Sequence, residues 1–288
     1  MIRTTSGLAL AGVLVLGVAA APAGAAEPAS AAAKLVPHEA TYDMQLSSSR
    51  SGSGVVGASG TMHYTFTDTC DGYAVNTRTL LSISYGVGTP VLTAWEFTTW
   101  ESYDGSQYRF KVRNSRNGML VETIDGRASM PSDDGAGTVD FVQPVAHSID
   151  LPAGTLFPTE HTRLLLAEAE KGRKFINRSV FDGSGDRGPY EVSALIGVRR
   201  AGEPAVGPEK ASAGGAGEAR ISRDLLQGTS WPMTMAFFPQ EGNDPLPEFQ
   251  VGLAYHTNGV AGSVQQDFGD FSIGGKLTDL KPVAKPEC

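Results

Sequence analysis

Cysteine is the residue this chain has least of: Cys70 and Cys288 are its only two in 288 residues. They form no C-x-x-C pair, which excludes dithiol redox catalysis and a thiolate zinc site. Histidine is nearly as scarce. His38, His63, His147, His161 and His256 carry no metal-ligand spacing, and His38-Glu39 is followed by Ala-Thr-Tyr, so H-E-x-x-H is missing. No serine is flanked as G-x-S-x-G, so there is no hydrolase nucleophile elbow. Asp133-Asp134 stands outside any EF-hand spacing. Basic residues number 23 against 31 acidic ones, net −8, too acidic a balance for a nucleic-acid partner. These gaps predict a protein with no catalytic residues, no cofactor and no bound metal.

One apolar run is present, and it is short. Arg3, the stretch Leu8 to Val18 and Ala23-Gly24-Ala25 have the order of a secretory signal peptide, residues 1–25. No cysteine follows the apolar core, so a lipoprotein anchor is not expected. The mature chain would be residues 26–288, a single domain of 263 residues with net charge −9 and no transmembrane segment. In an exported chain a lone cysteine pair forms a disulfide more often than two thiols. Within one molecule, closing such a loop contributes roughly 5 kcal/mol through chain entropy. The alternative is an intermolecular bridge through Cys288.

The rest of the chain alternates. Val36 to Leu46 has the period of a strand, and Ser47 to Ser59 is Ser/Gly-rich like a flexible hairpin tip. Gly60 to Phe66 alternates again. Cys70-Asp71-Gly72-Tyr73 follows as a turn, with Gly72 expected to supply the positive φ. Ala74 to Tyr85 and Val91 to Tyr103 are strands, with Trp95, Phe97 and Thr99 on one face. Gln107 to Asn114 and Met119 to Ile124 flank Asn117-Gly118, the strongest hairpin signal in the chain, and Asp125-Gly126 is expected to start the next hairpin. Later strands run over Phe175 to Phe181, Tyr190 to Arg199, Trp231 to Phe238, Glu248 to His256, Ala261 to Phe268 and Phe271 to Lys281. Turns at 8- to 12-residue spacing mark a meandering all-β protein.

Two stretches break the pattern. Pro158 to Gly172 predicts the one helix, with Pro158 in its first turn, Gly172 as its stop and Leu164, Leu165, Leu166 and Ala169 as its apolar stripe. Such a lone helix is expected to cover an open sheet face or a barrel mouth. Residues 201–219 hold almost no large apolar side chain and predict a mobile loop. Gly52 to Gly57 and Gly183 to Gly188 both match G-x-G-x-x-G, but neither opens a helix after a strand, so a dinucleotide site is not expected.

Five stretches in order resemble the EipB family of periplasmic cell-envelope integrity proteins of alphaproteobacteria. They are Cys70-Asp71-Gly72-Tyr73, Trp100 to Gly105 (WESYDG), Phe157 to Thr162 (FPTEHT), Val180-Phe181-Asp182-Gly183 and Asp267 to Ser272 (DFGDFS). The resemblance covers roughly residues 36 to 288, with 201–219 as an insertion. It implies a many-stranded antiparallel spiral-like sheet, an open barrel with one α-helix inside or against it, and a disulfide joining Cys70 to Cys288. It implies no catalytic residues.

Three functions are weighed on this basis. The leading one is a non-enzymatic periplasmic protein supporting envelope integrity and envelope-stress resistance through contacts with another periplasmic protein or an envelope component. The second is a periplasmic carrier of a lipid or other apolar molecule, since an open curved sheet covered by a helix can enclose one. The third is an envelope hydrolase using scattered carboxylates or His161, which lacks a motif.

Overall fold

The computed structural model describes residues 33–131, 135–201, 221–240 and 245–288. The expected signal peptide, Asp133-Asp134 and residues 202–219 of the expected loop lie outside the described residues.

The first half of the chain forms β1 (His38–Ser49), β2 (Val55–Asp68), β3 (Gly72–Tyr85), β4 (Val91–Ser102), β5 (Gln107–Arg116), β6 (Met119–Ser129), β7 (Gly137–Gln143) and β8 (His147–Leu151). One helix, α1 (Pro158–Glu170), leads to β9 (Phe175–Val180), β10 (Tyr190–Ile196), β11 (Ser230–Pro239), β12 (Phe249–His256), β13 (Ala261–Asp267) and β14 (Phe271–Pro282). Among the described residues these strands make one 14-stranded sheet in the order β8-β7-β6-β5-β4-β3-β2-β1-β14-β13-β12-β11-β10-β9. Every strand-to-strand pairing is antiparallel.

The topology follows from hairpins alone. The chain winds outward from β1 to β8, crosses through α1, and winds back from β9 until β14 pairs with β1. The edges β8 and β9 do not pair, so the sheet is not closed into a barrel. The edge of β9 is covered instead by the segment entering the helix. Leu156 donates to Ser179 O at 2.9 Å and accepts from Phe181 N at 3.0 Å, which removes bare edge groups that would otherwise recruit another chain.

Three apolar clusters pack against the sheet. One apolar cluster (Tyr42, Met44, Ile273, Leu277) lies under β1 and β14, and another (Tyr108, Phe110, Val112, Ile124, Phe141, Phe157, Phe181) under β5 to β7. The third surrounds α1: Leu165, Leu166 and Ala169 pack on Ile176, Val192, Trp231 and Met233. Leu165 and Leu166 are 0% exposed; burying each contributes about 2 kcal/mol. The helix thus packs its apolar stripe against the sheet. Its stop is Gly172 at φ 81, as the sequence predicts.

Local expectations needed correction at several points. The first hairpin tip is only residues 50–54, because 47–49 and 55–59 continue β1 and β2. Asp125-Gly126 lies inside β6, not at a turn; Gly126 is there because a Cβ would stand 2.6 Å from the Phe110 ring. The alternation did not delimit β7 and β8, nor the 3-10 turn Arg223–Leu226. In the β2–β3 turn Cys70, not Gly72, takes the left-handed conformation, at φ 70. Gly72 is required for another reason: a Cβ would meet the Glu101 carbonyl oxygen at 2.2 Å. Asn117 (φ 51) and Gly118 (φ 79) form the expected tight hairpin.

Candidate functional site

The motif residues converge on the N-terminus of α1. That end begins at Phe157, whose side chain supplies no cap, so the first amides need partners from elsewhere. Glu101 near the end of β4 provides them. Its Oε2 accepts from the Thr159 amide at 2.7 Å and its Oε1 from the Glu160 amide at 2.8 Å. The carboxyl is 2% exposed. Burial pushes its pKa up to about 7, opposed by the two amide hydrogen bonds that favour the anion.

Arg163 ties the same helix turn to the neighbouring strands. Its guanidinium donates to Tyr103 O at 3.2 Å and to the Tyr73 hydroxyl at 3.3 Å, and lies over the Tyr73 ring at 5.3 Å. Beside it the Tyr103 hydroxyl donates to Asp68, which also accepts from the Cys70 amide at 3.1 Å. The Tyr103 hydrogen bond is the main reason the Asp68 carboxyl lies below its ordinary value. On the other flank Tyr108 stacks on Phe157 and donates to Asp182 O at 2.6 Å. Four of the five motifs therefore act as a lock that holds α1 inside the sheet.

The C-terminal tail is fastened at this end too. Cys70 and Cys288 form a disulfide, with Cα atoms 5.7 Å apart. Lys285 Nζ lies 3.4 Å from Asp68, and Val283 N donates to Pro37 O at 3.1 Å. The intermolecular alternative for Cys288 is thus not the arrangement found.

Next to the lock is an interior cavity of about 230 Å³, lined by Tyr64, Phe66, Phe97, Tyr108, Thr162 and Tyr255 among others. His38 also lines it; its Nδ1 is bonded to Val36 O at 2.7 Å and its Nε2 is buried without a partner. Drug-sized ligands occupy roughly 300–1,000 Å³, and about 150 Å³ holds one benzene. The cavity is therefore ring-sized. A larger concavity of about 950 Å³ lies on the outer face, against polar side chains such as Asp43, Gln45, Thr234 and Gln265.

The five histidines are not brought together. His63 bonds Thr41 Oγ1 at 3.0 Å on the outside, and His147 stacks on Phe141. His256 is 0% exposed with both ring nitrogens unpartnered. His161 is buried in α1, its Nε2 unpartnered, and burial followed by the nearby Arg178 lowers its pKa to about 4. Burial thus favours the neutral imidazole. Among the described residues no group of three or more His, Cys, Asp or Glu could hold a metal ion, and no helix is long and apolar enough to cross a membrane.

Sequence reading missed the role of Glu101, although a signal was present. Trp95, Phe97 and Thr99 set the inward phase of β4, and Glu101 is the next residue in that phase. An acid on an inward position needs buried donors, and here they are the amides of α1.

An open 14-stranded antiparallel sheet with one locked helix defines a β-barrel-like protein. The chain belongs to the EipB-like family, whose model matches residues 29–284. It is 32% identical over 260 residues to cell envelope integrity protein EipB of Brucella abortus (strain 2308), covering 90% of this chain and 88% of that protein. It is also similar to the crystal structure of a beta-barrel-like protein of a domain of unknown function from Brucella abortus. That similarity has a TM-score of 0.75 at 30% identity and covers 88% of this chain and 100% of the other. The family indicated by the five motifs is the family found.

Proposed function

We propose that this protein is an exported periplasmic protein that supports cell-envelope integrity without catalysing a reaction, and that it acts through contacts made by its outer surface. Membership of the EipB-like family supports the envelope role. The observation that carries the outer-surface reading is the use made of the motif residues. Glu101, Tyr73 and Tyr103 fasten α1 to the sheet, which leaves a ring-sized space beside it.

The cavity beside His38 supports a second reading, a carrier, for a small ring-bearing molecule rather than a two-chain lipid. Native mass spectrometry of protein purified gently from its own periplasm separates the two. A bare monomer two hydrogens lighter than its reduced form is expected; a stoichiometric organic adduct would favour the carrier. Complementation of a deletion strain tests the envelope role itself. His161→Ala should restore detergent resistance as wild type does, and failure with unchanged thermal stability would revive a hydrolase.

A further inference from the structure

The hairpin turns at one end of the sheet are apolar without a folding reason. In an up-and-down winding, the β1–β2, β3–β4, β5–β6 and β7–β8 turns all fall at the same end, and these hairpins are neighbours in the sheet. Val56, Val87, Leu92, Met119, Val121 and Val145 are all exposed there, the least of them 57%. Val87 is the clearest case. It sits between Gly86 (φ 45) and Gly88 (φ 129), which thrust it into solvent at 102% exposure. A side chain in that position buries nothing in its own fold. The neighbouring tips are joined: Asn117 N donates to Leu92 O at 2.7 Å, and Leu92 N donates to Asn117 Oδ1 at 2.9 Å. Isolated exposed aliphatics are ordinary, but a run of them along one rim marks an interaction surface.

Charge selects the partner. Residues 51–56, 85–92, 117–121 and 142–146 contain no charged side chain, and Arg50 and Arg116 flank them with Arg113 close behind. None of these arginines forms an ion pair among the described residues. The acids beside them are Glu96 on β4, directly opposite Arg113 and paired with Arg78, Glu122, one step inside β6, and Asp270 in the adjacent β13–β14 turn, whose carbonyl accepts from the Arg50 amide at 2.8 Å. At the opposite end of the same strands the turns carry Asp68, Asp71 and Asp104. Apolar, uncharged tips flanked by Arg50 and Arg116 complement an anionic bilayer surface.

We propose that the rim formed by the β1–β2, β3–β4, β5–β6 and β7–β8 turns docks on an anionic phospholipid surface, its aliphatic tips entering the headgroup boundary and Arg50 and Arg116 facing lipid phosphates. A self-paired rim would set arginine against arginine, which disfavours a second copy as the occupant. The proposal deepens the outer-surface reading and rests on export.

The test is sedimentation of the mature protein with vesicles of phosphatidylcholine plus phosphatidylglycerol, against vesicles of phosphatidylcholine alone. Affinity is expected to be at least about tenfold higher for the anionic vesicles, with a loss of about fivefold per arginine in Arg50→Ala/Arg116→Ala. Val87→Asp/Met119→Asp should abolish binding while circular dichroism stays unchanged, since both side chains are exposed, at 102% and 69%. Wild-type protein that ignores anionic vesicles, equal binding to both vesicles, or unaltered binding by both double variants would each overturn the proposal. So would a dimer that Val87→Asp/Met119→Asp converts to monomer without any change in vesicle binding. Complementation of the deletion strain tests the envelope role separately, so either reading can fail alone.

Discussion

Glu101 caps the helix from a distance: its Oε2 accepts the Thr159 amide at 2.7 Å from 58 residues earlier in the chain. The carboxyl replaces the side-chain cap that Phe157 lacks and sets two acceptor oxygens at the positive end of α1. The helix is therefore held by a strand, and the strand's burial of an acid is made tolerable by the helix. Each element satisfies the other.

Removing that carboxyl orphans two buried amides. Glu101→Ala is expected to cost about 2–4 kcal/mol and to lower Tm by about 4–8 °C. Differential scanning calorimetry checks it; an unchanged Tm would mean that water caps the helix equally well.

Glu101 and His161 should pull stability in opposite directions as pH changes. Glu101 titrates near 7 when folded against its ordinary 4.5, so its contribution is full below about 4.5 and is lost as pH rises towards 7. His161 titrates near 4 against its ordinary 6.5, so its contribution is full above about 6.5 and is lost as pH falls towards 4. Each amounts to about 3 kcal/mol over its range. In the shared window between pH 4.5 and 6.5, Glu101→Gln should make stability fall more steeply on acidification. His161→Gln should make it fall less steeply or rise. Urea unfolding at both ends of the window reads both slopes, and parallel slopes in the two variants would refute the assignment.

The disulfide closes a separation of 218 residues. Cys288→Ser should cost about 5 kcal/mol and lower Tm by about 10 °C. Amide exchange should quicken first in residues 283–288, where Lys285 and Val283 supply the remaining ties. A variant with wild-type Tm would place the tail outside the cooperative unit.

Two glycines make a matched pair. Gly72→Ala drives a Cβ to 2.2 Å from backbone on β4, whereas Gly185→Ala meets nothing within 4 Å. The first should cost about 3 kcal/mol or more and the second less than about 0.5. Equal midpoints in urea would show that β4 can yield.

Much of this fold was legible in the chain. Alternation located the strands β3 to β5 and β9 to β14, because a half-buried strand must place apolar groups two apart. Asn117-Gly118 marked a real hairpin, since few residue pairs accept left-handed backbone. Pro158 and Gly172 bounded the helix. Asp125-Gly126 failed as a turn because the same glycine serves equally where an aromatic ring, here Phe110, presses on a strand.

The tertiary structure alone decided what the motifs are for. Sequence fixes a residue's phase on its own strand, but not which distant group completes it. Glu101 declared an inward acid; only the winding that brings β4 beside α1 turns it into a helix cap. Leu165 and Leu166 declared an apolar stripe; only the folded sheet brings it Ile176, Val192, Trp231 and Met233 to pack on. Partnership between distant residues depends on which surfaces meet when the whole chain closes, and that is a property of packing rather than of local pattern.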